Sequence, residues 1–271
     1  MERNAPIGVF DSGVGGLTVA REIIRQIPDE RVIYFGDTAR LPYGSKSRDT
    51  IIRYSRQIIR FLKTKGVKAI VIACNTASSY ALETVKKECD VPIIGVINAG
   101  AHMAANVTKN GKIGVIGTEA TINSGIYTET IRCFNPKVQV FEKACPLFVP
   151  LVEEGLLHDS VTDEISSRYM ADLKGKYIDT LVLGCTHYPL IRSTLRRIMG
   201  DDIELVNPAY ETAIELKNLL EKERLSCDPE HISGEKYQFY VSDLAEKFRN
   251  FATAILPEQV KETKQIPIEE Y

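Results

Sequence analysis

The sequence predicts an α/β protein made of two pseudo-symmetric halves, each a parallel sheet covered by helices, facing each other across a cleft. Three observations carry that expectation. Short runs rich in Val and Ile alternate with stretches of helical period along most of the chain. The runs are apolar at consecutive positions rather than at every second one, as in strands covered on both faces. Segments of the first half also recur in the second: "IGVFDSG" from Ile7 resembles "IGVIGTE" from Ile113, and "IVIACNT" from Ile70 resembles "LVLGCTH" from Leu181. The offset is 106 residues from Ile7 to Ile113 and 111 from Cys74 to Cys185, close enough to indicate a duplicated unit.

Strands are predicted over 7–11, 32–37, 69–74, 92–97, 112–117, 138–144, 180–185, 203–207 and 236–242. Helices are predicted between them, over 48–65, where Ile51, Ile52, Ile58, Ile59 and Leu62 form an apolar stripe, and over 76–88, 121–134, 161–174, 209–224 and 243–255. The halves divide near Ile97–Asn98. Residues 1–97 with 208–271 are expected to form a first domain carrying Cys74, and 98–207 a second carrying Cys185. The polar tail "PEQVKETKQIPIEEY" is expected to be mobile.

With 34 basic and 36 acidic residues the formal charge is −2, which points to neither a nucleic-acid nor a membrane partner. The start "MERNAPIGVF" lacks the apolar core of a secretory signal, and no apolar run approaches the ~18 residues of a membrane span. A cytoplasmic protein with six reduced cysteines is expected. No two of them form a CxxC pair, so no structural metal site is expected.

In open parallel sheets, ligands gather beyond the carboxyl ends of the strands. "DSGVGG", "GDTARLPYG", "CNTAS", "GTEAT" and "CTHYP" all fall at such ends. Two facing halves aim them into one cleft, with Cys74 on one side and Cys185 on the other. A cysteine ending a strand is ordinarily an inert small hydrophobe, and Cys89, Cys133, Cys145 and Cys227 are read that way. Cys74 and Cys185 differ in being paired by the repeat and followed by hydrogen-bonding residues. A thiol just before a helix N-terminus is also placed where thiolate is favoured. Asp11, an acid ending an apolar strand, needs a partner or a role. The glycines of "DSGVGG" lack dinucleotide or P-loop spacing and suit backbone approach to a small anion, or simply a tight turn. His187, two residues after Cys185, is a candidate acid or base, whereas His102, His158 and His231 have no such setting. Tyr43 and Gly44 lie in a turn that would face the same cleft.

"FDSGVGGLTV", "DTARLPYG", "ACNTAS" and "GCTHYPL", in this order, resemble the glutamate racemases of the cofactor-independent aspartate/glutamate racemase superfamily, over Ile7 to about Phe251. The resemblance implies L- and D-glutamate interconversion without pyridoxal phosphate or metal, supplying D-glutamate for peptidoglycan. It implies Cys74 and Cys185 as the catalytic acid–base pair, with Asp11 and His187 assisting. Ser12, Tyr43, Gly44, Asn75, Thr76 and Thr186 would hold glutamate, with Asp11 and His187 also close to it. Pro42, Thr118, Thr121 and Glu153 transfer more weakly. Some relatives carry an extension before the first strand that is linked to activation by a cell-wall precursor. Six residues precede Ile7, so that regulation is not expected. A homodimer is the base-rate expectation.

The residues alone leave other chemistries open. Cys185 with His187 could serve a thiol hydrolase, although a duplicated cysteine is then surplus. Cys74, Cys185, His187 and Asp11 could count as zinc ligands, a two-lobed binding module could share the fold, and aspartate racemase differs by one methylene.

Overall fold

The computed structural model describes residues 2–231 and 234–271. In chain order, the first part comprises β1 (Ile7–Asp11), α1 (Leu17–Gln26), β2 (Val32–Gly36), α2 (Arg48–Thr64), β3 (Ala69–Ile72), α3 (Asn75–Glu88), β4 (Ile93–Gly95) and α4 (Val96–Val107). Then come β5 (Lys112–Gly117), α5 (Glu119–Asn123), α6 (Ile126–Phe134), β6 (Gln139–Ala144), α7 (Phe148–Glu153), α8 (Ser160–Lys174), β7 (Thr180–Gly184), α9 (Arg192–Met199) and β8 (Glu204–Val206). The chain closes with α10 (Pro208–Lys222), β9 (Tyr237–Val241), α11 (Ala245–Ile255) and β10 (Thr263–Gln265).

Two wholly parallel sheets result, ordered β10-β9-β2-β1-β3-β4 and β6-β5-β7-β8. Every residue of β1, β2, β3 and β7 is buried, which is why those strands read as unbroken apolar runs. Apolar clusters fill both faces of the first sheet. Val9, Leu17, Ile23 and Leu216 belong to one cluster, and Phe10, Ile58, Phe61 and Ile70 to the other. Among the described residues no helix is long and apolar enough to cross a membrane.

Four differences from the sequence expectation have physical causes. The strand predicted over 92–97 stops at Gly95, and Val96 and Ile97 open α4, an Ala-rich helix that packs on α6 and α10. The single helix predicted over 121–134 is broken into α5 and α6 by Gly125, whose φ of +68° no helix interior accepts. Helices α1, α4, α7 and α9 fall between predicted strands where no helix bounds were set, and α7 and α9 are only 6 and 8 residues long.

The C-terminal tail is the fourth difference. Instead of hanging free, it lays β10 beside β9 in parallel register, Thr263 opposite Phe239 and Gln265 opposite Val241. Ile268 is then fully buried, and the Tyr271 ring sits 5.3 Å from that of Phe61. Three polar residues are too short a strand to show in the sequence. Replacing Ile268 by Ala is expected to destabilise the protein by about 2–5 kcal/mol, read from chemical denaturation. A tail that contributed nothing to the fold would leave the midpoint unmoved.

Of the four cysteines read as buried and inert, only Cys145 is buried. Cys133 is exposed, because α6 turns Tyr127 and Ile131 inward, and Cys89 and Cys227 are half-buried.

Candidate active site

The carboxyl ends of β1 and β3 from one sheet, and of β5 and β7 from the other, converge on one cleft. Eleven of the residues singled out in the sequence line it: Ser12, Pro42, Tyr43, Gly44, Cys74, Asn75, Thr76, Thr118, Cys185, Thr186 and His187. Asp11, Thr121 and Glu153 stand behind that lining and act on it through hydrogen bonds.

Cys74 lies two residues beyond β3 and caps α3. Its Sγ accepts from the Ala77 N–H at 3.5 Å, and the thiol is 3.8 Å from Ser12 Oγ as donor. The helix start was expected to favour thiolate. Burial and the nearby Asp11 carboxylate instead push the Cys74 thiol far up, and the Ala77 N–H only partly offsets them. Cys74 therefore keeps its proton at neutral pH.

Cys185 follows β7 directly and has a different neighbour. Its Sγ is 3.7 Å from His187 Nδ1, and His187 Nε2 is 3.0 Å from Glu153 Oε1 on α7. Burial disfavours the imidazolium. The hydrogen bonds to Cys185 and Glu153, with the charges of Cys185 and Asp11, outweigh it and push His187 up to about 10. The two sulfurs thus meet opposite electrostatics, a carboxylate behind Cys74 and a protonated imidazole beside Cys185.

Asp11 ties the two sides together. It is fully buried, accepts from Gly13 N–H at 3.0 Å, and accepts from the Thr186 hydroxyl of the opposite side at 3.3 Å. The glycines of "DSGVGG" now have a specific reason. A Cβ on Gly15 would lie 2.4 Å from Thr186 Oγ1 and 2.5 Å from His187 Nδ1, so only glycine lets the second thiol loop close.

Thr76, Thr118 and Thr121 form a buried triangle of hydroxyls, with edges of 2.8, 3.2 and 3.0 Å. Tyr43 donates from its hydroxyl to Asp37, which also accepts from Arg40 Nε at 2.8 Å and Ser242 Oγ at 2.8 Å. Burial raises the Asp37 carboxyl, against the opposing pull of Arg40, Tyr43 and Ser242.

The sequence had pointed to neither Asp37, Tyr127 nor the cleft-lining Val149. Asp37 was findable, since it ends an apolar run just as Asp11 does. Tyr127 and Val149 lie on ordinary amphipathic helices and carry no distinguishing signal. Among the described residues no group of three or more His, Cys, Asp or Glu side chains is placed to hold a metal ion.

With this geometry in place, the sequence pattern of the Asp/Glu/hydantoin racemase family matches residues 7–213, and the chain belongs to that family. It is a racemase, an enzyme of the isomerase class. It is 45% identical over 263 residues to a glutamate racemase of Geobacter metallireducens, covering 97% of each chain. The crystal structure of glutamate racemase isoform RacE1 from Bacillus anthracis superposes with a TM-score of 0.93 at 38% identity, over 98% of each chain. The glutamate racemase of Francisella tularensis, solved in complex with D-glutamate, gives 0.91 at 38% identity, over 99% of this chain and 100% of that one.

Proposed function

We propose that this racemase interconverts L- and D-glutamate by a two-thiol proton transfer at the α-carbon, without cofactor or metal, and that it supplies D-glutamate for peptidoglycan. The observation that carries the reading is the pair of cysteines lining one cleft from two different sheets. Inversion requires a base on one face of the α-carbon and an acid on the other, and one cysteine from each half meets that requirement.

The surroundings divide the roles. Cys74, protonated at rest, is the acid. Cys185, beside the protonated His187, is the base. When the substrate has the opposite hand the roles exchange, and Asp11 and His187 are the groups through which each sulfur exchanges its proton. Thiol and thiolate are softly hydrated and work best where water is excluded, and both cysteines are 6% exposed.

Ser12, Asn75, Thr76 and Thr186, with backbone at Tyr43 and Gly44, offer donors to the two carboxylates of glutamate. Preorganised donors of this kind each lower the barrier by about 3 kcal/mol where charge develops. Thr118 and Thr121 orient the Thr76 hydroxyl, Pro42 shapes the wall, and Glu153 holds His187. The two separate sheets, joined through α4, support a two-domain division of 1–97 with 208–271 against 98–207. A cytoplasmic homodimer completes the proposal.

The test is circular dichroism of L-glutamate incubated with the protein, chelator present and no cofactor added. The signal is expected to decay to zero. Unchanged glutamate would overturn the substrate assignment, and aspartate decaying instead would name the shorter acid.

A further inference from the structure

Tyr127 is absent from every motif and from the cleft wall, yet it touches both thiol loops. It is fully buried on α6. Its hydroxyl donates to Asn75 Oδ1 at 2.7 Å, and Asn75 is the residue that follows Cys74. Its ring packs so closely on Gly184, the residue before Cys185, that a Cβ there would come within 3.1 Å of Tyr127 Cε2. On the far side, a Cβ on Gly100 of α4 would lie 3.2 Å from the Tyr127 hydroxyl oxygen. The phenol is thus wedged between two backbones with its oxygen aimed at a single carboxamide.

A carboxamide has one accepting and one donating end. With Oδ1 engaged by Tyr127, the Asn75 amide group is turned away from Tyr127, and Asn75 lines the cleft. Burial and the neighbouring Cys185 push the Tyr127 phenol far above its ordinary range, so it remains a donor throughout the working pH range. Without that donor the carboxamide could flip and present an oxygen to a carboxylate, which repels it.

We infer that Tyr127 is a positioning residue for this racemase. Its hydroxyl locks the Asn75 carboxamide with the NH₂ facing a substrate carboxylate, and its ring keys that orientation to the loop carrying Cys185. The inference rests on the reading of Asn75 as a carboxylate ligand given under the proposed function.

A double-mutant cycle tests it, with Tyr127→Phe, Asn75→Ala and the double variant compared with wild type. D-Glutamate binding is measured by calorimetry, racemisation by circular dichroism and folding by thermal melting. Phe keeps the ring over Gly184, so the melting midpoint is expected to stay close to wild type. Tyr127→Phe is expected to raise Kd and KM roughly tenfold, with a much smaller change in kcat, as the loss of one hydrogen bond to a binding group implies. The double variant is expected to bind no worse than Asn75→Ala alone, because Tyr127 acts through Asn75.

An unchanged Kd for Tyr127→Phe would overturn the inference. So would an undiminished tenfold loss in the Asn75→Ala background, or an Asn75→Ala variant that binds like wild type. A wild-type protein that binds glutamate without racemising it would refute the proposed function, while the binding cycle would still decide the role of Tyr127. No binding at all would refute both.

Discussion

Replacing either Cys74 or Cys185 by serine is expected to lower glutamate racemisation by about 10³-fold or more, in the range for losing a positioned acid–base group. Serine keeps nearly the same volume and can keep the Ala77 N–H and Ser12 contacts of Cys74, so folding is expected to survive. What disappears is acidity, since a hydroxyl does not become a usable anion in this pH range. The loss should not be symmetric in kind. With Cys74 replaced, Cys185 can still remove and return a proton on its own face. One enantiomer should then exchange its α-hydrogen with solvent while keeping its configuration. With Cys185 replaced, the other enantiomer should do so. Mass spectrometry of each enantiomer in D₂O reads both outcomes, and near-wild-type turnover by both variants would remove the thiols from the mechanism.

The second large effect concerns the proton on His187. Its position near 10 depends on the Cys185 sulfur and on the Glu153 carboxylate, against the penalty of burial. A group raised in this way is cationic below its folded value and loses its charge as pH rises through it. Racemisation that needs an imidazolium beside Cys185 should therefore fade in wild type as pH approaches about 10. Glu153→Gln replaces a charged hydrogen-bond acceptor with a neutral one at the same place, so the alkaline limb of kcat/KM should move to lower pH. His187→Gln should remove that limb and cost about 10²–10⁴ in kcat/KM at neutral pH. L- and D-glutamate have equal free energy, so kcat/KM must fall by the same factor in both directions. A pH profile of Glu153→Gln that superimposes on wild type would show that His187 does not carry the proton assigned to it.

Much of the cleft lining was legible because parallel sheets bring the loops at the carboxyl ends of buried strands together. Asp11, Cys74 and Cys185 announce themselves as polar or reactive groups at the ends of apolar runs, and the internal repeat pairs the two thiols. Their electrostatics were not legible. The helix start behind Cys74 argued for thiolate, yet burial and Asp11 dominate there, and both arise from tertiary contacts that spacing does not reveal. Tyr127 shows the same limit, because its ring and hydroxyl matter only once α6 is laid against α3 and β7. In the fold, long apolar strands were readable, whereas β10 depends on β9 as a template and α4 begins inside a run that local preference assigns to a strand. Gly125 was visible in the sequence, but its left-handed φ, which splits the predicted helix, was not.

The central claim is that two thiols act on opposite faces of one α-carbon. Early-time racemisation of L-glutamate in D₂O, with both enantiomers separated and weighed, tests it most directly. Two distinct acid–base groups predict D-glutamate carrying one solvent deuterium from its first appearance, while unreacted L-glutamate stays unlabelled. D-glutamate that retains the substrate's own α-hydrogen would mean that a single group carries the proton across, and the two-thiol account would be wrong.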